Sequence, residues 1–195
     1  MRKHSPNRTE ALSDGVFAIA LTLLVLEIHL PEHEAPLAES LLGLWPSYFA
    51  FALSFFVLLV TWVNHHGLMR IVRGETRRML LANGLLLFYV SFLPFPTAVL
   101  ASHLLSADVR LAVTFYCATF TLGSLAWFTV VRALDTDSLL EGVPTRVVAE
   151  LRRGVGSGLL ANVVALVLAV FHPWLALGLS VSARLGWLVA NARRR

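Results

Sequence analysis

The sequence predicts an all-α integral membrane protein: six transmembrane helices per subunit, both termini cytoplasmic, and no carbonyl-lined filter loop. Three observations predict it. Charged residues are only 14% of a chain that is 57% hydrophobic, and the mean hydropathy is +0.72, whereas a soluble domain carries roughly a quarter charged residues. Apolar segments of about 20 residues, the length that crosses a bilayer, use up nearly all of the 195 residues. The loops between those segments alternate in charge.

The shortage of charge is the strongest of the three. A soluble chain of this size has a surface to cover with polar groups, and a chain facing lipid does not. The net charge of +4 does not point to nucleic acid, because the basic residues sit between apolar segments, where they act as topology signals. Membrane lipids are the expected surroundings. Cys117 is the sole cysteine, which excludes an internal disulfide and a cysteine metal cluster. The first apolar run has no small-residue cleavage site behind it, so it is expected to remain as a helix and not to act as a cleaved signal peptide.

One six-helix domain over 1–195 is expected, with spans at about 10–30, 41–63, 79–100, 110–131, 156–171 and 174–192. Helix is the state that satisfies backbone polar groups within a segment in lipid. The fifth span is the shortest. It is separated from the sixth only by His172 and Pro173, because about 35 residues is too long for one crossing. Arg2, Lys3 and Arg8 precede the first span, and the first loop holds Glu32, Glu34 and Glu39 with no Lys or Arg. Arg70, Arg73, Arg77 and Arg78 fill the second loop. The fourth, expected over 132–155, is mixed, and the tail ends in Arg193, Arg194 and Arg195. Basic loops face the cytoplasm, so both termini lie inside and the number of spans is even.

Residues of chemical interest gather at one depth. The first span opens with Arg8, Ser13 and Asp14, and the second closes on Trp62, Asn64, His65 and His66. An intramembrane carboxylate needs a partner or water, so either histidine is a candidate partner for Asp14. Ser13 and Asp14 also fit the start of a helix, where the dipole favours an acid. Two adjacent histidines do not share a helix face, which argues against a metal chelate. Ile19, Leu23 and Leu26 fall on one face of the first helix, with Thr22 beside it and the small Ala18 and Ala20 nearby. That is the pattern of a packing face. Phe92-Leu93-Pro94-Phe95-Pro96, near the outer end of the third span, should kink or end that helix. No T-V-G-Y-G filter, phosphate loop, G-x-S-x-G or H-E-x-x-H is present, so no enzyme and no cofactor is expected.

The stretch from Arg8 to Ile28, the W-x-x-H-H run from Trp62 to His66 and the F-L-P-F-P-T run from Phe92 to Thr97 resemble one family. It is the transmembrane protein 175 type of potassium channel, known from endolysosomes and with many prokaryotic members. The family signature R-x-x-x-F-S-D is matched at Arg8, Ser13 and Asp14, with Leu12 in place of Phe. The resemblance covers the first half by motif and the second half only as a helix pattern.

The resemblance implies a potassium-permeable channel, potassium over sodium, in a cell membrane, here a bacterial plasma membrane. Four identical subunits would surround a pore lined by the first helix. Ile19 would form the main hydrophobic constriction, with Leu23 and Leu26 further outward and Thr22 at a position tied to selectivity. Arg8, Ser13, Asp14, Trp62, His65 and His66 would make the polar network that braces the pore helix. Potassium is the permeant ion. Glu27 would sit at the outer mouth and concentrate cations there. The alternatives are a proton-coupled secondary transporter using Asp14 with His65 or His66, and a non-conducting scaffold.

Overall fold

The computed structural model describes residues 7–29, 36–136 and 139–192, with side-chain surroundings for 8–29, 36–135 and 139–182. Among the described residues the chain is helical throughout, without strands. Helix α1 (Asn7–Leu23) tightens into a 3-10 turn (Leu24–Glu27). A short α2 (Leu37–Gly43) leads into α3 (Trp45–Met69). Then come α4 (Arg77–Phe92), α5 (Pro94–His103), α6 (Val109–Thr136), α7 (Thr145–Phe171) and α8 (Pro173–Ala192).

Five stretches are long and apolar enough to cross a membrane: Arg8–Glu27, Trp45–Met69, Arg77–His103, Val109–Asp135 and Thr145–Phe171. The last helix, α8, is apolar over Pro173–Ser182.

The helices depart from the sequence expectation at four places, each for a physical reason. The first span stops being helical after Glu27, and Leu30, where it was expected to end, lies outside the described residues. The loop acids Glu32 and Glu34 also lie outside them, while Glu39 belongs to α2. The second span starts later and ends later. A turn at Leu44 separates α2 from α3, Pro46 occupies the first turn of α3, where its missing N–H is harmless, and the helix continues through His66 to Met69.

The proline pair breaks the third span in its middle. Pro94 cannot donate to Val90, whose carbonyl instead takes the Leu93 N–H at 3.4 Å, and α5 resumes beyond. Finally, α7 starts at Thr145, well before 156. Its first turns carry Arg146, Glu150, Arg152 and Arg153. Arg146 pairs with Glu150 at 3.2 Å one turn on, and Arg152 pairs with Asp135 of α6. Hydropathy marks where a helix leaves lipid; these charges sit past that point, and the helix continues.

The packing puts α6 at the centre, against α4, α5, α7 and α8, while α3 packs on α5 and α1 lies across α3 and α4. Phe17, Leu24, Leu58, Met79, Leu86, Tyr116 and Phe120 are among the fully enclosed side chains. At the end of the bundle that bears the basic second loop, Arg73 N–H reaches Leu139 O at 3.1 Å, and its guanidinium lies over Gly142. Gly142 holds φ +78°, a conformation a side chain there would strain. Helix α4 is capped by the Thr76 hydroxyl, which accepts from Met79 N–H at 3.2 Å.

Candidate functional site

Helix α1 has two faces, and the fold covers one of them. Thr9, Ser13, Phe17, Ala20 and Leu24 are buried, at spacings of three and four residues, against α3 and α4. On the other side Leu12, Ile19 and Leu26 recur every seven residues and are 62%, 61% and 66% exposed. Gly15, Ala18, Thr22 and Leu23 lie on the same open side. A seven-residue repeat makes a nearly straight seam along a helix, the arrangement that meets other helices around an axis.

This face differs from the last part of the open face of α7, beyond the exposed Gly156 and Ser157, where Leu160, Val163, Val164, Val167, Val170 and Phe171 are exposed, as lipid contact allows. On α1 the small Gly15 and Ala18 and the hydroxyl of Thr22 interrupt the apolar run. Small residues are what close helix approach requires in a membrane. The Thr22 hydroxyl donates to Ile19 O at 2.9 Å and Ala18 O at 3.1 Å. Its one proton is therefore committed to the backbone, and what it offers outward is an acceptor oxygen and a methyl group.

The buried face is held by three separate polar links. The Trp62 indole N–H donates to the Asp14 carboxylate at 2.9 Å. His66 Nδ1 lies 3.2 Å from a Glu10 carboxylate oxygen, and its ring stacks on Trp62 with centroids 5.9 Å apart. The third link is a chain whose direction follows from proton count. Ser13 Oγ donates to Thr9 O at 2.7 Å, so it must accept from Asn83 Nδ2 at 3.0 Å. Asn83 Oδ1 then accepts, and His65 Nε2, 2.9 Å away, is the donor. His65 is fully buried beside the rings of Phe17 and Trp127, at 5.6 and 6.3 Å, and its Nδ1 has no hydrogen-bond partner.

Of the residues singled out from sequence, Ser13, Asp14, Trp62, His65 and His66 therefore meet where α1, α3 and α4 pack. Asp14 is bonded to the indole, and each histidine has a different partner. Arg8 stands apart, exposed at the start of α1 with no hydrogen bond or ion pair to the described residues. Ile19, Leu23, Leu26 and Thr22 share the open side of α1. Glu27 is half-buried in the 3-10 turn, where its backbone carbonyl accepts from His29 Nδ1 at 3.0 Å. Asn83 and Glu10 were not singled out. A lone Asn inside an apolar span was the available signal, since such a residue rarely goes unpartnered. Among the described residues no group of three or more His, Cys, Asp or Glu is placed to hold a metal ion.

Comparison with known proteins gives this geometry a relationship. Residues 8–94 match the family model described as the endosomal/lysosomal potassium channel TMEM175. A protein of Chamaesiphon minutus named as a potassium channel is 41% identical over 181 residues, covering 88% of this chain and 87% of that one. The crystal structure of a lysosomal potassium-selective channel TMEM175 homolog, also from Chamaesiphon minutus, superposes with a TM-score of 0.78 at 37% identity, covering 94% of this chain and 96% of that one. A Gallus gallus protein named as the endosomal/lysosomal proton channel TMEM175 is 38% identical over 100 residues, 46% of this chain and 20% of that one. The chain belongs to the TMEM175 family of potassium channels, membrane proteins that pass ions and are not enzymes.

Proposed function

We propose that the chain is one subunit of a homotetrameric, potassium-over-sodium channel of a bacterial plasma membrane, with six spans, cytoplasmic termini and a pore lined by α1. The observation that carries this reading is the uncovered seam Leu12, Ile19 and Leu26, interleaved with Gly15 and Thr22, on a helix whose opposite face is fixed by three polar links. The names of the bacterial relatives support the choice of ion.

Four copies of Ile19 facing one axis make a neck that excludes water and so blocks ions until it widens. Potassium sheds water at lower cost than sodium, which gives an apolar neck a potassium preference without a carbonyl filter. Thr22, one turn outward, supplies an acceptor oxygen to a partly dehydrated cation. Leu23 and Leu26 continue the wall, and Glu27 stands at the outer mouth.

The second reading, a carrier moving protons between Asp14 and a histidine, draws less from the geometry. Asp14 is bonded to an indole N–H and His65 to an amide, neither of which passes a proton on, and the chain from His65 ends on the carbonyl of Thr9.

The test is ion flux into liposomes that hold the purified protein, under potassium, sodium and proton gradients in turn. Potassium flux above sodium flux, with both raised and brought closer together by Ile19→Asn or Ile19→Ala, is the expected result. If flux is unchanged in folded Ile19 variants, or if the protein carries protons alone, α1 is not a potassium pore.

A further inference from the structure

We infer that the proline break between α4 and α5 is a hinge that sets the outer end of α1, and that Ser54, Thr97 and Tyr116 form its latch; this rests on α1 lining the pore. Helix α1 changes character at Leu23, where its α-helical turns give way to the 3-10 turn Leu24–Glu27. The α-helical part packs on α3 and α4. The 3-10 turn packs on α3 and α5, with Leu24 fully buried. The two parts of α1 therefore rest on the two halves of one broken span, and the break at Leu93–Pro94 separates their supports. A 3-10 segment within a span is itself a common hinge mark. Bending at Pro94 moves α5, and with it Leu26, relative to Ile19.

The bend is held from inside by hydroxyls on three helices. Thr97 Oγ1 donates to Leu93 O, at the break itself, at 2.8 Å. Its proton is thereby used, so it accepts from Ser54 Oγ of α3 at 2.7 Å, and Ser54 in turn accepts from Tyr116 Oη of α6 at 2.6 Å. The chain runs in one direction, Tyr116 to Ser54 to Thr97 to the Leu93 carbonyl, and Ser54, Thr97 and Tyr116 are all buried. On the outer side the rings of Phe88, Phe92, Phe95 and Phe115 pack around the same break, Phe92 to Phe95 at 5.7 Å and Phe95 to Phe115 at 5.8 Å.

The test reads position separately from conduction. Leu26→Cys and, at the opposite end of the seam, Leu12→Cys are each placed in the full chain in liposomes. Labelling rates are measured with a small water-soluble thiol reagent present on both sides, and the parent protein reports the background of buried Cys117.

Tyr116→Phe removes one latch bond and Thr97→Val removes two, both at nearly constant volume. Tyr116→Phe should raise labelling of Leu26→Cys by about threefold, the average worth of one membrane hydrogen bond converted through RT, and Thr97→Val by about sevenfold, the worth of two. Labelling of Leu12→Cys should not change. Where Tyr116→Phe does not fold, Ser54→Ala takes its place beside Thr97→Val. An unchanged rate at Leu26→Cys in folded latch variants overturns the hinge, as does an equal rise at both positions. Latch-dependent labelling in a protein that passes no potassium leaves the hinge standing and sinks the channel reading. No labelling of Leu26→Cys in any background removes α1 from a water-filled pore, and the hinge's role with it.

Discussion

The Asp14 carboxylate takes its hydrogen bond from the Trp62 indole at 2.9 Å, and neither neighbouring histidine is its partner. Trp62→Phe keeps an aromatic ring but removes this donor and part of the ring that stacks on His66. A hydrogen bond to a charged group is worth about 1.5–3 kcal/mol, and the thermal midpoint of the detergent-solubilised protein should fall accordingly. Asp14→Asn keeps an acceptor for the indole, so the loss should stay within about 1.5 kcal/mol. Potassium flux should persist in that variant. Flux abolished in a folded Asp14→Asn protein would favour the carrier.

Asn83 of α4 ties α1 to α3 by bonding Ser13 on one side and His65 on the other. Removing its amide by Asn83→Ala strands a buried His65 N–H, on a ring whose other nitrogen already lacks a partner. A stranded buried group costs about 1–3 kcal/mol. Asn83→Asp keeps the acceptor for His65 but, as a carboxylate, cannot donate to Ser13 and buries a charge, so it too should fall below wild type. Unfolding midpoints of the three proteins give the order directly. Equal stability of all three would show that the bridge contributes nothing.

What the sequence made legible follows from what lipid demands. Apolar length and loop charge revealed a helical membrane chain, because unpaired backbone in hydrocarbon is forbidden and charge there is costly. The shared depth of Asp14, Trp62, His65 and His66 was legible from their places at the ends of two neighbouring spans. Their pairing was not, since a small rotation of α3 decides whether an indole or an imidazole meets the carboxylate. Asn83 carried a signal, a lone amide in an apolar span, but its partners lie 70 and 18 residues away and nothing local names them. The early start of α7 was missed because hydropathy reports the apolar layer, and the turn bearing Arg152 and Arg153 stands outside it.

Glu27 lies one residue beyond Leu26, in the 3-10 turn. If it faces the outer mouth in four copies, its charge enriches potassium there only while salt does not screen it. The Debye length is ~30 Å at 0.01 M and ~3 Å at 1 M. Glu27→Gln should therefore lower potassium conductance by about threefold at ~0.01 M and leave it nearly unchanged at ~1 M. Paired conductance measurements at the two concentrations check this, and equal effects at both would place Glu27 away from the ion path.

Gly123 allows α6 to lie directly against the Tyr89 ring of α4. A Cβ added at Gly123 would stand 2.5 Å from Tyr89 Cζ, a distance at which something must move. Tyr89 is only 3% exposed, so its ring has nowhere to go without shifting α4. Overpacking of this kind costs about 1–3 kcal/mol, and Gly123→Ala should lose that much stability. Tyr89→Phe should not rescue it, because the clashing ring carbons remain. Tyr89→Leu removes those carbons, so the double variant Gly123→Ala, Tyr89→Leu should be more stable than the sum of its two single changes by about 1 kcal/mol or more. Unfolding midpoints for this cycle decide the matter: strict additivity would mean that the two helices relax apart at no cost.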